Sequence, residues 1–153
     1  MKMRDILAYF SIRNDGLEDK ILRDLDNKVK VKQTDIDKMK DSIKYPYVTI
    51  IDSNYPEMLK HIEEPPIVLF YKGDLKLLNY DSEIIAKESD DGVRMIHAFD
   101  TKLTNTGIEI NCIMACECHD DMDMLVDKMN DTHSLLNEMF KLKQARDSKK
   151  YER

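Results

Sequence analysis

Apolar residues recur at helical spacing through the first third of the chain, and then the rhythm changes. Ile6, Leu7, Phe10 and Ile12 suit a short amphipathic helix over residues 3–14. Asn14-Asp15-Gly16 interrupts it, and Leu17, Ile21, Leu22 and Leu25 stripe a second helix running to Asn27. Ile36, Met39 and Ile43 form the apolar face of a third, with Thr34 as its expected cap. Helices this short are marginal alone and need a surface to lean on. Tyr47 to Ile51 is β-branched and aromatic, which predicts a strand. Pro56 then opens a short helix whose apolar face is Met58, Leu59 and Ile62. Pro65-Pro66 stops that helix, because proline cannot donate to the ladder and pushes its predecessor towards extended backbone. Ile67 to Tyr71 contains no charged residue and predicts a strand covered on both faces. Lys72-Gly73-Asp74 is the expected closing turn.

Beyond residue 78 the pattern is different. Glu83-Ile84-Ile85-Ala86 and Val93 to Phe99 read as strands, with a turn at Asp90-Asp91-Gly92 between them. A turn at Thr104-Asn105-Thr106-Gly107 leads into an alternating run that sets Ile108, Ile110, Cys112, Met114 and Cys116 on one side. Asp120 opens a long helix over about residues 121–146, where Met122, Leu125, Met129, Leu136 and Met139 fall at three- and four-residue spacing. Asp120, Asp121 and Asp123 crowd its start and Lys141, Lys143 and Arg146 its end, which complements the helix dipole. The expected fold is α+β: a small N-terminal helical module (1–44), a Pro-Pro connector strand (45–78), then an antiparallel β-meander with one long C-terminal helix (79–153).

Composition narrows the function classes. The chain has 153 residues, 42% apolar and 35% charged, the profile of a globular protein. No run approaches the ~18 apolar residues of a membrane span. The opening Met1-Lys2-Met3-Arg4-Asp5 does not resemble a secretory signal, so a cytoplasmic protein is expected. Three cysteines within Cys112 to Cys118 are an odd number and fit a reducing compartment. The net charge of −6 is uneven: residues 1–78 balance 14 acidic with 14 basic side chains, and residues 79–153 carry 16 against 10. A basic patch for phosphates is confined to the tail Lys141 to Arg153, which argues against direct nucleic-acid binding. An acidic lobe serves solubility first and a protein partner second.

The stretch YPEMLKHIEEPPIVLFYKGDLKLL resembles the N-terminal portion of the DprA/Smf family, the DNA-processing proteins of natural transformation. Tyr55, Pro56, Leu59, Ile62, Pro65, Pro66, Val68, Leu69, Tyr71, Gly73 and Leu75 match that family's pattern in order. Residues 1–43 also resemble its small helical module of the SAM or helix-hairpin-helix type. In the family this segment leads into a Rossmann-like domain that binds single-stranded DNA and helps load RecA recombinase. Here the pattern departs. Where the family has a Gly-Ser-Arg phosphate loop, this chain reads Lys87-Glu88-Ser89-Asp90-Asp91, with three carboxylates and no glycine for close backbone approach. Too few residues remain for a doubly wound domain, so no DNA-contacting residue carries over.

Candidate chemistry is sparse. Cys112, Cys116, Cys118 and His119 form the nearest thing to a metal set, but strand positions two apart stand ~7 Å apart, long for one tetrahedral ion. Buried core cysteines explain them better, and metal is the weaker alternative. Asp120, Asp121, Asp123 and Asp127 lack the glycine and spacing of a calcium loop. No catalytic residue and no cofactor is expected. Met122, Met129, Leu136 and Met139, with Asp120 and Asp121, are candidates for contact with a partner, since methionine faces adapt to varied surfaces. The expected function is that of a non-catalytic DprA-like adaptor, working through contacts with a DNA-handling or recombination protein. The alternative is a regulator or inhibitor of mobile-element type, engaging such a protein through the acidic lobe. A homodimer through the C-terminal helix is a further expectation.

Overall fold

A computed structural model describes residues 1–79, 83–88 and 92–151. The fold is α+β. Helices α1 (Met3–Arg13), α2 (Glu18–Asp26) and α3 (Gln33–Ser42) precede strand β1 (Tyr47–Thr49) and the single turn α4 (Glu57–Lys60). Strand β2 (Val68–Gly73), a 3-10 turn (Leu75–Asn79) and strands β3 (Glu83–Glu88), β4 (Arg94–Thr104) and β5 (Gly107–Cys116) follow. A second 3-10 turn (His119–Asp121) delivers the chain to α5 (Met122–Tyr151).

The five strands make one sheet in the order β1-β2-β5-β4-β3, antiparallel throughout. The connector strand β2 therefore pairs with the C-terminal lobe directly, setting Phe70 opposite Cys116 and Gly73 opposite Ile113. The meander is wider than its own three strands, because β1 and β2 extend it. β4 and β5 also pair with each other beyond both neighbours, so residues 100–111 form a two-stranded arm.

Both faces of the sheet are buried at its centre. On one face Phe70, Met114 and Cys116 meet Leu7 and Phe10 of α1, Ile21 of α2, Ile36 of α3 and Met122, Val126 and Met129 of α5. On the other, Val48, Leu69, Ile96, Ile113 and Ala115 meet Tyr55, Leu59, Leu77 and Leu78. β2 alternates between the two cores, Val68 and Phe70 to one and Leu69 to the other, as its unbroken apolar run predicts. Each such large side chain contributes about 1.5–3 kcal/mol over its exposed state. The three sequence segments thus share a sheet and its cores.

Local departures have local causes. α3 starts at Gln33 rather than behind Thr34, because the Asp35 carboxylate accepts the Lys32 N–H at 3.1 Å and fixes the first turn there. Lys72 and Gly73 continue β2 instead of turning, held by the register with Met114 and Ile113. α4 is one turn long, so helical spacing does not reach Ile62: Leu59 is buried, while Met58 and Ile62 are exposed. The expected turn at Asp90-Asp91-Gly92 falls largely outside the described residues.

Candidate functional site

The connector is built around a buried tyrosine. Tyr55 is 2% exposed and donates its hydroxyl to the Pro66 carbonyl at 2.7 Å. That bond joins the start of α4 to the Pro-Pro step and fixes where β2 enters the sheet. Burial pushes the Tyr55 phenol pKa up, so it stays a neutral donor. Pro56 sets the entry to α4 and is buried, Pro66 is buried and Pro65 half-buried. Leu69 is fully buried and Tyr71 partly so. Gly73 has φ +112°, and a Cβ there would collide with the Cys112 carbonyl across the β2–β5 ladder. Ten of the eleven motif residues thus serve one geometry, and Ile62 stands apart, exposed.

Two charged seams bind the helical module to the sheet. In the first, Arg94 at the start of β4 donates Nε to Glu117 Oε1 at 2.7 Å and Nη2 to Glu117 Oε2 at 3.1 Å. Its Nη2 also reaches Glu18 of α2 at 3.3 Å, and its Nη1 donates to the Glu64 carbonyl. One guanidinium so ties α2, the Pro-Pro connector and the β5 end together. Beside it, Ser11 donates to the Glu117 carbonyl at 3.2 Å, and Gly16 (φ +76°) passes so close to Glu117 and Cys118 that a Cβ would strike their backbone. In the second seam Tyr47 donates to Asp5 at 2.5 Å, Lys40 pairs with Asp5 at 3.1 Å, and Arg4 pairs with Asp52 at 3.0 Å. Burial opposes charge on Asp5, but the Tyr47 and Lys40 hydrogen bonds outweigh it and hold the carboxyl below its usual range.

A groove of about 250 Å³ lies between β4 and α5. Met95 and His97 line it from the strand, and Met124, Lys128, Met129 and Thr132 from the helix. The His97 Nε2 is buried with no hydrogen-bond partner among the described residues, and burial, with His133 adding to it, lowers its pKa. The groove is thus lined by methionines with His97 and Thr132 among them and one cation, Lys128. The partner-contact candidates divide. Met122 and Met129 are buried in the core, at 0% and 5% exposure, which assigns them to packing of α5 on the sheet. Met139 is 58% exposed, Asp120 is exposed and Asp121 half-buried. The Leu136 side chain lies outside the described ones.

Residues 46–116 match the family of DNA recombination-mediator protein A. No curated protein and no solved structure matches the chain. The segment similar to the recombination-mediator family runs past residue 78 and takes in all five strands. It leaves residues 1–45 and the whole of α5 outside. Tyr55, the Pro-Pro step, Gly73 and Arg94 belong to it, and Glu117 is the residue just beyond.

The cysteines lie at the end of this segment. Cys116 and Cys118 are buried and Cys112 half-buried, all as free thiols. Burial pushes the Cys116 thiol up to about 12 and raises the other two. The strand ends at Cys116, so Cys118 no longer shares its face, and its N–H donates to the Cys116 sulfur at 3.4 Å. His119 points elsewhere: its Nε2 accepts the Lys44 N–H at 3.1 Å and its ring packs edge-on against Phe70, centroids 5.0 Å apart. No group of three or more His, Cys, Asp or Glu side chains among the described residues is arranged to hold a metal ion. No described helix is long and apolar enough to cross a membrane.

Proposed function

We propose that this chain acts in DNA processing or recombination as a non-catalytic adaptor, through contacts with a DNA-handling protein in the cytoplasm. The observation that carries the reading is the match to the recombination-mediator family across the whole sheet. The disposition of the reactive groups supports it. Arg94, Glu117, Asp5 and Tyr47 are spent on holding segments together, and the thiols, two buried and one half-buried, are held protonated. The contact surface in this reading is the acidic entry to α5, where exposed Asp120 and half-buried Asp121 in the 3-10 turn precede exposed Asp127 and Asp131 of the helix.

Capture from a bacterial lysate on the immobilised chain, with identification by mass spectrometry, tests it. DNA-handling proteins should be enriched and should be lost on Asp120→Lys/Asp121→Lys. A captured set without any DNA-handling protein overturns the adaptor. Retention on single-stranded DNA that falls steeply with salt would replace it by direct binding. The same exposed aspartates also favour a mobile-element inhibitor that covers a basic surface of its target. Strand exchange by the captured protein separates the two, since an adaptor stimulates it and an inhibitor suppresses it.

A further inference from the structure

We propose that the groove between β4 and α5 receives Met139 of a second copy of this chain, so that two chains pair through antiparallel α5 helices about a two-fold axis. The groove-lining residues of α5 all lie within its first eleven positions, Met124 to Thr132. Met139 follows Lys128 by eleven residues, which is three turns and about 20° of rotation, or ~16 Å along the axis. It therefore lies on the groove-side face of the helix, beyond the groove, with 58% of its surface exposed. Met124 on the same face is 48% exposed. Leu103, 71% exposed, lies on the sheet face that carries Met95 and His97, by alternation along β4. One side of the molecule thus offers both an exposed methionine and a methionine-lined groove.

Charge fixes the occupant and its direction. Residues 120–131 hold five aspartates and one lysine, whereas residues 138–151 hold five basic and two acidic side chains. Parallel pairing of two such helices sets like charges together, and antiparallel pairing opposes them. Seating Met139 of one copy beside Lys128 of the other also brings Lys128 to Glu138, and Asp127 to within one position of Lys141. All four are exposed, and none forms an ion pair within the chain among the described residues. Two-fold symmetry makes every one of these contacts twice. The long thioether side chain suits an irregular groove already lined by methionines.

The inference stands apart from the adaptor reading, since self-association is measured whatever else the chain binds. Sedimentation equilibrium on the full chain should give a dimer that weakens as salt rises. Met139→Glu should raise the dissociation constant on the order of tenfold or more, while leaving the thermal midpoint unchanged at concentrations where the native chain is monomeric. Lys128→Glu and Glu138→Lys should each weaken the dimer, and combining both in one chain should restore it. In a Cys112→Ser background, chains with Lys128→Cys mixed with chains with Met139→Cys should form a disulfide-linked pair under mild oxidation. A chain monomeric at all concentrations, a double exchange that fails to rescue, or crosslinking of Lys128→Cys only with itself would each overturn the proposal.

Discussion

Replacing Arg94 by methionine keeps the aliphatic stem and removes only the guanidinium, so it isolates the polar part of the first seam. In the native chain Glu117 is 5% exposed at its side chain and Arg94 is 23% exposed. The variant strips the carboxylate of both side-chain donors and leaves it the Arg94 backbone N–H, at 2.9 Å. It also releases Glu18 of α2 and the Glu64 carbonyl. Removing one member of a buried pair costs about 3–5 kcal/mol, because the other charge stays buried without compensation. The remaining backbone donor and the partial exposure of Arg94 place this case near the lower end, at ~3 kcal/mol. For a chain of this size that lowers the thermal midpoint by roughly 6–12 °C. Arg94→Met/Glu117→Met should regain most of the loss, since an apolar pair leaves no stranded charge. Melts and urea titrations followed by far-UV circular dichroism measure both. Limited proteolysis should cut near α2 first in the single variant, because Glu18 loses its tether. A loss under ~1 kcal/mol for Arg94→Met, or a double variant as unstable as the single, would refute the stranded-charge argument.

Two further outcomes rest on single atoms. Gly73→Ala should cost at least about 2 kcal/mol, because φ +112° is unfavourable for alanine and the atom it strikes is the Cys112 backbone, which cannot swing aside. Gly107→Ala, also at positive φ (+157°) but with nothing within 4 Å of its Cβ, controls for backbone strain, and equal losses for the two would contradict the close-approach reading. The Tyr47 phenol is pushed up to about 12, by burial first and by its bond to Asp5 second. A raised folded pKa means that its contribution is complete below the unfolded value near 10 and is lost as pH rises through 12, at no more than ~1.4 kcal/mol per pH unit. Tyr47→Phe should flatten that decline in melts taken from pH 9 to 12, and an unchanged slope would remove Tyr47 as its source.

Helix and strand identities were legible because they depend on local period. The two-sided run of β2 survives intact in the fold, and the stripe of α2 survives as Ile21 with partly buried Leu17 and Leu25, while Leu22 is exposed. Strand order was not legible. That β5 sits between β2 and β4 depends on which long-range ladder buries more apolar surface, and periodicity carries no such information. The one hint was Cys112-Ile113-Met114-Ala115-Cys116, five apolar residues in a row, which the alternation from Ile108 onward obscured. The seams were hidden for a related reason. Asp5, Glu18, Arg94 and Glu117 resemble surface charges one at a time, and only contacts distant in sequence place them, Arg94 with Glu18 across 76 positions and with Glu117 across 23, and Asp5 with Tyr47 across 42. Glu117 alone left a trace, a carboxylate flanked by two cysteines. Ile62 misled because the spacing that includes it presumes a helix longer than its single turn.

Resemblance to a DNA-processing family implies a nucleotide-fold sheet, but the segment that matches is put together differently. Ligand crevices in open parallel sheets arise where neighbouring strands run the same way and their connections leave to opposite faces, so that carboxyl ends converge on one rim. Here every neighbouring pair is antiparallel. The carboxyl end of each strand lies beside the amino end of the next, and no such rim exists among the described strands. β3, after which the family's phosphate loop would stand, is an edge strand with one neighbour, and its sequence closes on Lys87-Glu88. The family-like segment consequently forms a sheet whose central strands are buried on both faces. What distinguishes this chain from that segment is what closes one face of the sheet: the three short helices and α5. α5 carries the exposed Met124 and Met139, and with Met95 and His97 of β4 it lines the groove at the edge of that face.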